Sequence, residues 1–249
     1  MTEHSAPSWP GKPALFLDLD GTLLDFAPDP DAVEVPDRLH EVLIRLPAAT
    51  DGAIAFVSGR TLSDLDRLLG PGRFPLAAVH GLQRRDAAGK LSATITDDEG
   101  FERLHQSLSR IADEYPGTLL EHKDVTLALH YRRCPEFEHE LIERVEAALG
   151  EMSSRVKLMR GKMVIEVKPL EGDKGTAICA FMAEPPFAGR TPVFVGDDVT
   201  DEDGFRAVNE LGGVSVKVNS GPSTASYRLA DTNAVIGWLE QLVGLNDES

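Results

Sequence analysis

Short apolar segments alternate with amphipathic helical segments over the first third of the chain. Residues 14–17, 53–57 and 76–79 are apolar runs of strand length. Between them, residues 39–46 and 62–69 carry leucine and other aliphatic side chains at helical spacing. The order strand, helix, strand, helix, strand predicts a parallel sheet that is covered by helices on both faces.

The rhythm changes near residues 95–100. After this point, apolar spacing predicts a helix, two strands, a second helix and a last strand, at residues 101–115, 118–122, 125–132, 137–149 and 163–167. The alternating pattern then returns, with helices and strands predicted at residues 177–182, 192–195, 201–209, 214–218 and 235–242. The middle of the chain is therefore an inserted unit of about the smallest size that folds independently.

We predict an α/β fold, with a Rossmann-like parallel sheet core, helices on both faces and an inserted α+β cap domain. The length of 249 residues suits one large domain or two domains of moderate size, and 42% of the residues are hydrophobic, which is enough for a real core. Residues 1–12 are polar and contain prolines, which predicts a disordered N-terminal lead. The predicted core spans residues 13–96 and 173–249, and the predicted cap spans residues 97–172.

The chain is strongly acidic, with 41 acidic residues against 25 basic ones and a net charge of −16. Because such a surface repels phosphate backbones and anionic headgroups, we expect no nucleic-acid partner and no membrane partner. Cys134 and Cys179 lack metal-type spacing, and the N-terminus does not have the pattern of a signal peptide. We therefore expect a cytoplasmic protein with reduced thiols. We also expect a monomer or at most a dimer.

Two carboxylates come directly after the first predicted strand. Asp18 and Asp20 are two residues apart, so they leave the tip of the strand on the same side. Gly21 then allows a tight turn, and Thr22 can cap the next segment. Because two close carboxylates repel each other, this site requires a divalent cation or a shared proton. A metal would keep Asp18 ionised as a nucleophile, and Asp20 could then supply and withdraw a proton.

Further polar groups occupy the positions where function gathers in an open parallel sheet, beyond the carboxyl ends of the strands. They are Ser58-Gly59-Arg60 after the second strand, Asp197, Asp198 and Asp201 after the strand at residues 192–195, and Lys174 at a helix start. Carboxylates for a metal, a hydroxyl, a positive charge and a helix N-terminus together suit a phosphate ester. Oxygen ligands of this kind favour Mg²⁺.

The order of these motifs resembles that of the haloacid dehalogenase-like (HAD-like) phosphohydrolases. The resemblance implies that Asp18 attacks phosphorus and forms an aspartyl-phosphate, while Asp20 protonates the leaving oxygen and then activates water. It implies that Ser58 and Lys174 hold the phosphoryl oxygens. The implied metal ligands are Asp18, the backbone carbonyl of Asp20 and Asp197, with Asp198 and Asp201 near or behind them. The remaining substrate-binding positions of the core are Gly21, Thr22, Gly59 and Arg60.

Within the cap the resemblance narrows to the trehalose-6-phosphate phosphatases. The segments that carry it are Glu121-x-Lys123, His130-Tyr131-Arg132 and Gly161-Lys162-x-Val164-x-Glu166-x-Lys168-Pro169. The resemblance implies that Glu121, Lys123 and Glu166 bind the glucose hydroxyls. Further candidates for the same surface are Arg132, Arg160 and Lys162. One departure is Gln83, since the family often has an acidic residue two places after His80-Gly81.

The implied activity is Mg²⁺-dependent hydrolysis of a small-molecule substrate, trehalose 6-phosphate, to trehalose and phosphate. The protein would then be a phosphoric monoester hydrolase of trehalose biosynthesis. Two other enzymes remain open, a phosphatase for another sugar phosphate, such as sucrose phosphate or mannosyl-phosphoglycerate, and a sugar phosphomutase. A non-catalytic sensor of sugar or phosphate is expected to lack Asp18 or Asp20, and both are present.

Overall fold

The computed structural model describes residues 6–25, 33–93, 99–123, 125–161, 163–170 and 172–245. The chain divides into two compact units, Met1–Ser92 with Asp173–Ser249, and Ala93–Gly172. We refer to the first as the core unit and to the second as the cap unit. The core unit carries the alternating pattern and the cap unit the α+β pattern, so the predicted fold class is confirmed.

The described part of the chain forms twelve strands and seven α-helices. The strands are β1 (Pro13–Leu17), β2 (Ile54–Val57), β3 (Leu76–Ala78), β4 (Gln83–Arg85), β5 (Leu91–Ala93), β6 (Leu119–Lys123), β7 (Thr126–His130), β8 (Val156–Gly161), β9 (Val164–Pro169), β10 (Thr191–Gly196), β11 (Val214–Val218) and β12 (Tyr227–Leu229). The helices are α1 (Asp37–Ala49), α2 (Leu62–Leu69), α3 (Glu99–Glu114), α4 (Glu138–Leu149), α5 (Lys174–Met182), α6 (Glu202–Glu210) and α7 (Thr232–Leu242). None of these helices has both the length and the apolar character that crossing a bilayer requires.

The core unit is built on an eight-stranded sheet in the order β12-β11-β10-β1-β2-β3-β4-β5, parallel from β12 to β3. All five residues of the central strand β1 are buried, as expected of a parallel strand that is covered on both faces. Phe16 packs with Phe181 of α5 on one face, and Leu15 and Leu17 are equally buried on the other. Because β1, β2 and β10 run in the same direction, their carboxyl ends meet at one edge of the sheet.

Strands β4 and β5 at the edge of this sheet were not expected from the sequence. Strand β4 pairs antiparallel with β3, with Leu76 opposite Arg85. Its three residues are all polar, so they carry no hydrophobic alternation that could mark a strand. The pairing is stabilised through side chains, since Arg85 donates to both carboxylate oxygens of Asp66 on α2 and to the carbonyl of Phe74.

The segment before β1 differs from the expected disordered lead. Trp9 stacks on Trp238 of α7 with ring centroids 3.8 Å apart, and the indole Nε1 of Trp238 donates to the carbonyl of Pro7 at 2.9 Å. Stacked indoles bury a large apolar area, which fixes residues 7–9 against the helix. Composition alone did not reveal this contact because its partner lies more than 200 positions away. Residues 1–5 lie outside the described residues.

The cap unit pairs two helices with a four-stranded antiparallel sheet in the order β6-β7-β9-β8. Leu127 and Leu129 of β7 and Ile165 and Val167 of β9 share one hydrophobic cluster with side chains of α3 and α4. The alternate residues of these strands face the other side of the sheet. Strand β8 was not predicted because its apolar and charged residues alternate only over Val156, Lys157 and Leu158, and Met159 then breaks the pattern.

The bidentate ion pair between Asp66 and Arg85 should contribute measurably to the stability of the core unit. The Arg85 guanidinium lowers the pKa of Asp66, and both side chains are largely shielded from solvent. We expect Arg85→Ala to lower the free energy of unfolding at neutral pH by about 1–2 kcal/mol. The pKa of Asp66 is lower in the folded state than its ordinary value of about 4 in the unfolded chain. The contribution is therefore complete above about pH 4 and is lost as the pH falls from there through the lowered pKa.

Urea unfolding of both proteins at pH 7 and at acidic pH measures this effect. The control is Arg103→Ala, which removes an exposed pair with Glu99 and should change stability little. Equal stability of Arg85→Ala and the wild type at pH 7 would contradict the assignment.

Candidate active site

The carboxylates of the first motif leave the tip of β1 as the sequence predicts. Asp18 is buried, and its backbone amide donates to the carbonyl of Val195 on the neighbouring strand at 3.0 Å. Gly21 has φ of 78°, which confirms the tight turn. The Thr22 hydroxyl is buried and lies 3.3 Å from Asp18 Oδ2 and 3.5 Å from Asp197 Oδ1. The turn therefore returns a hydroxyl donor to the carboxylates rather than only capping the next segment.

Lys174 connects two carboxylates inside the protein. It is the first residue of α5, whose start is fixed by a capping box between Asp173 and Thr176. Its Nζ donates to Asp18 Oδ1 at 2.7 Å and to Asp201 Oδ1 at 2.6 Å, and the side chain is 3% exposed. Burial alone would lower the pKa of Lys174, but the two carboxylates raise it above its ordinary value. The buried ammonium therefore stays charged.

Asp18, Asp197 and Asp201 form a compact carboxylate cluster in which one oxygen of each residue lies within 4.8 Å of the others. Burial, opposed by Lys174, raises the pKa of Asp18 to about 7. Burial and the charge of Asp201 raise the pKa of Asp197 to about 6. Three carboxylates thus outnumber the ammonium groups near them in a shielded site, and this excess of negative charge favours binding of a cation.

The donor set of this cluster fits a hard divalent cation. Its ligand atoms are carboxylate oxygens, and no histidine or cysteine joins the cluster among the residues that the structure describes. Asp201 is held in place from behind, since its Oδ2 accepts from the backbone amides of Asp197 and Asp198 at 2.9 and 2.8 Å.

Two of the expected acidic residues direct their carboxylates elsewhere. Asp198 is exposed, and its Oδ1 accepts from the amide of Val199, so this side chain caps a short helical turn and does not join the cluster. The carboxylate of Asp20 pairs with Arg60 instead. The expectation that Asp198 ligates a metal is therefore not supported by its position. For Asp20 the implied metal ligand was the backbone carbonyl, so the pairing of its side chain with Arg60 does not contradict that expectation.

The loop after β2 carries Ser58, Gly59 and Arg60. Ser58 is buried and its amide donates to the carbonyl of Ala77 on β3 at 2.8 Å. The Arg60 guanidinium forms a fork on Asp20, with Nε to Oδ2 and Nη2 to Oδ1 both at 2.6 Å. The two loops after β1 and β2 are therefore connected by a bidentate ion pair that the sequence did not predict.

A strained turn at residues 79–81 supports this loop. Val79 has φ of 48° and His80 has φ of 58°, values that are rare for non-glycine residues and most costly for a β-branched one. Their amides donate to the carbonyls of Arg60 and Ser58 at 2.9 Å each. The imidazole ring of His80 fills the space beside Gly59, where an added Cβ would lie 2.5 Å from its Cε1 atom.

Glu121 and Glu166 lie on the same face of the cap sheet, opposite the helices. The register places Glu121, Ala128 and Glu166 side by side on β6, β7 and β9. Glu121 Oε2 lies 3.0 Å from Nε2 of His130, which is also on this face. The structure therefore brings together two of the three sugar-binding carboxylate and amine groups that the resemblance implied, and it adds a histidine beside them.

The other expected cap residues are placed differently. Lys123 ends β6, and its side chain lies outside the described residues, as does all of Lys162. Arg132 lies in an exposed turn beyond β7. Arg160 has the parity of Leu158, which packs on the helix side, and its Nη2 donates to Glu146 of α4 at 2.9 Å. Arg160 is therefore on the opposite side of the sheet from Glu121 and Glu166, because adjacent residues of a strand face opposite ways.

Comparison with known proteins identifies the family to which this chain belongs. The sequence model of trehalose-phosphatase matches residues 16–233. The chain is 46% identical over 244 residues to the trehalose-6-phosphate phosphatase of Escherichia coli K12, covering 97% of this chain and 91% of that protein. It is 44% identical to a probable trehalose-phosphate phosphatase of Sinorhizobium fredii, covering 94% and 88%. This chain belongs to the trehalose-phosphatase family.

A solved structure of Aspergillus fumigatus trehalose-6-phosphate phosphatase gives a TM-score of 0.71 at 29% identity, and the match covers 94% of this chain and 93% of that one. The likeness thus extends over both units of this trehalose-phosphatase family member. It supports the HAD-like assignment that the order of the core motifs suggested.

Sequence reasoning overlooked Lys217. Lys217 lies on β11 and is 6% exposed. It is opposite Gly196, the residue that precedes Asp197. Its charge lowers the pKa of Asp197 and so opposes the effect of burial on that carboxylate. The available signal was a single lysine in the apolar strand Val-Ser-Val-Lys-Val, next to the strand that ends in the aspartate motif. A charged residue inside a central strand is unusual unless a partner charge is near.

The contact between Gly59 and His80 yields a prediction. In Gly59→Ala the new Cβ would overlap the His80 ring, so either the ring or the Ser58–Arg60 loop must move. We expect phosphate release to fall at least about 10-fold, because small displacements of catalytic groups are costly. We expect the free energy of unfolding to fall by about 1–3 kcal/mol.

The matched control is Gly11→Ala, since an added Cβ at Gly11 meets open space. Steady-state kinetics and thermal unfolding of both variants measure the effect. If Gly59→Ala has the same turnover and stability as the control, the contact between Gly59 and the His80 ring is not needed for activity or stability.

Proposed function

We propose that this protein hydrolyses trehalose 6-phosphate to trehalose and inorganic phosphate. The observation that carries the proposal is the buried group of Asp18, Lys174 and Asp201 at the tip of β1, in a chain that belongs to the trehalose-phosphatase family. A carboxylate at a strand tip, fixed by a buried ammonium, has the placement that a nucleophile for a phosphate ester requires.

The first half of the reaction transfers the phosphoryl group to the protein. An oxygen of Asp18 forms a bond to phosphorus while the bond from phosphorus to the sugar oxygen breaks. Asp20 gives its proton to that oxygen, because a sugar alkoxide is too basic to leave unprotonated. Lys174 and Ser58 hold the phosphoryl oxygens and offset the charge that they carry.

The second half restores the enzyme. Water attacks phosphorus and passes a proton to the Asp20 carboxylate, and the bond from phosphorus to Asp18 breaks. Inorganic phosphate leaves, and both aspartates return to their starting protonation states. Asp20 therefore acts first as an acid and then as a base.

We further propose that the cation is Mg²⁺. The residues that would hold it are Asp18 and Asp197 with the backbone carbonyl of Asp20, and Asp201 behind them. Bound there, Mg²⁺ supplies positive charge that neutralises the phosphate and the surrounding carboxylates. The support for this choice is the all-oxygen donor set of the carboxylate cluster.

The cap unit is proposed to select the sugar. Glu121 and Glu166 present carboxylates on one face of its sheet, and Lys123 ends the same strand as Glu121. Sugar hydroxyls are bound well by charged acceptors and donors of this kind. The proposed boundaries are a core at residues 13–96 and 173–249 and a cap at 97–172, whereas the compact units divide between Ser92 and Ala93 and between Gly172 and Asp173. Arg132 and Lys162 stay candidates for the sugar surface.

We propose a cytoplasmic monomer, or at most a dimer, with no nucleic-acid or membrane partner. Cys134 and Cys179 are free thiols, which suits a reducing compartment. The net charge of −16 disfavours binding to polyanionic surfaces.

A panel of sugar phosphates tests the proposed function. In Asp18→Asn we expect phosphate release to fall to background with every substrate, because the amide is a poor nucleophile. In Glu121→Ala we expect kcat/KM for trehalose 6-phosphate to fall roughly 10–100-fold, the cost of losing a charged hydrogen bond, while other sugar phosphates change less.

The matched control is Glu146→Ala. Glu146 lies on α4, which packs on the opposite side of the sheet from Glu121, so this variant should keep the wild-type substrate ranking. Preference of the wild type for another sugar phosphate, or phosphate returned to the sugar, would overturn the assignment. An unchanged ranking in Glu121→Ala would remove only Glu121 from the sugar site.

Removal of the metal gives a separate prediction. Treatment with a chelator should abolish phosphate release, since three shielded carboxylates would then oppose the approach of an anionic ester. Addition of Mg²⁺ should restore the activity. Full activity of the chelated protein would contradict the proposed cation site.

A further inference from the structure

The guanidinium of Arg60 is paired with a carboxylate of the protein, whereas a residue that only binds the substrate phosphate would not need such a partner. Its fork engages both oxygens of Asp20 at 2.6 Å, and its side chain is 11% exposed. Such a planar two-bond contact fixes both the direction and the rotation of the carboxyl group that it holds. Two other acidic groups of the site, Asp18 and Asp201, are held by a different cation, Lys174.

The backbone of Arg60 is fixed on two sides. Its amide donates to Ser58 Oγ at 3.3 Å, and its carbonyl accepts from Val79 at 2.9 Å. The left-handed conformations of Val79 and His80 are unfavourable, so the turn persists only because the contacts around it outweigh the strain. One of these contacts is the packing of the His80 ring against Gly59. Strain retained beside a catalytic loop points to a requirement for exact placement of that loop.

From this geometry we propose that Arg60 is a positioning residue for the general acid and base Asp20, and that the turn at residues 79–81 holds Arg60 for this task. The inference rests on the proposed function and adds to it a role that binding of the substrate phosphate alone would not require. In the first half-reaction one oxygen of Asp20 carries the proton that moves to the leaving group. Arg60 then keeps its bond to the other oxygen, which still accepts. When Asp20 has lost the proton, the fork is complete again and holds the carboxylate for the attacking water.

The two possible roles of Arg60 differ in how they depend on the leaving group. If Arg60 positions the acid, its loss harms esters whose alcohols are weak acids and spares esters whose phenolates leave without a proton. If Arg60 only binds the phosphoryl group, every substrate suffers equally. The quantity kcat/KM reports the steps through transfer to Asp18, so the later attack of water does not enter the comparison.

The experiment measures kcat/KM of the wild type and Arg60→Ala with a series of aryl phosphates whose phenols range from weak to strong acids, and with trehalose 6-phosphate. We expect Arg60→Ala to lose about 100-fold or more with trehalose 6-phosphate. With the most activated aryl phosphate we expect a loss below about 5-fold, because no proton needs to be donated. The dependence of log kcat/KM on the acidity of the phenol should therefore be steeper in the variant.

Arg60→Lys separates charge from geometry and serves if Arg60→Ala fails to fold. Lysine keeps the positive charge but cannot form the fork, so a positioning role predicts a steeper dependence in this variant too. The matched control is Arg38→Ala, which removes another bidentate pair, with Glu240, and should keep the wild-type dependence.

A parallel fall with all aryl phosphates would overturn the proposal, as would a wild-type dependence in Arg60→Lys. The aryl series gives this answer whichever sugar phosphate the enzyme prefers. Failure of the wild type to act on trehalose 6-phosphate would therefore count against the proposed function and not against the role of Arg60.

Discussion

The ion pairs of Lys174 are the interaction on which the site depends. Burying several carboxylates at one edge of a sheet is unfavourable unless a cation is buried with them. Lys174 meets this need with two short contacts, to the predicted nucleophile Asp18 and to Asp201. Lys174 lies on α5, which can approach α6 closely because residue 175 is a glycine. An added Cβ at Gly175 would lie 2.5 Å from the carbonyl oxygen of Asp203. The position of the ammonium thus results from helix capping and from a glycine contact.

The remaining charges are arranged so that the two aspartates proposed to be catalytic depend on different cations. Asp18 is paired with Lys174, whereas Asp20 is paired with Arg60. The two side chains leave β1 only two residues apart, yet their carboxylates are held by different loops. In the proposed mechanism this separation lets one carboxylate act as the nucleophile while the other gains and loses a proton. Lys217 adds a further buried positive charge that acts on Asp197 from the neighbouring strand β11.

Much of the fold could be predicted because its signals are local. The apolar run of β1 and the helical spacing of residues 62–69 are visible in side-chain periodicity. The edge strand at residues 83–85 could not be predicted, because all of its residues are polar and the pairing is completed by the fork between Arg85 and Asp66. The contact of Trp9 with Trp238 was missed for a related reason, since it joins the two ends of the chain.

The site shows the same division. The identity of the acidic residues and of Lys174 could be predicted, since strand ends at one sheet edge must meet. Their individual contacts could not, because hydrogen bonds decide which carboxylates share a cation. Asp198 caps a turn, Arg160 pairs with Glu146 behind the cap sheet, and Arg60 holds Asp20, and none of these contacts can be inferred from the spacing of residues.

In the proposed reaction, Asp18 carries the phosphoryl group during turnover. Rapid acid quenching of the enzyme with trehalose 6-phosphate, with subsequent digestion and mass spectrometry, measures this directly. We expect a phosphate adduct, or its borohydride-reduced derivative, on the peptide that contains Asp18. An adduct at any other residue, or turnover without an adduct at Asp18 in a quench fast enough to catch a single cycle, would contradict it.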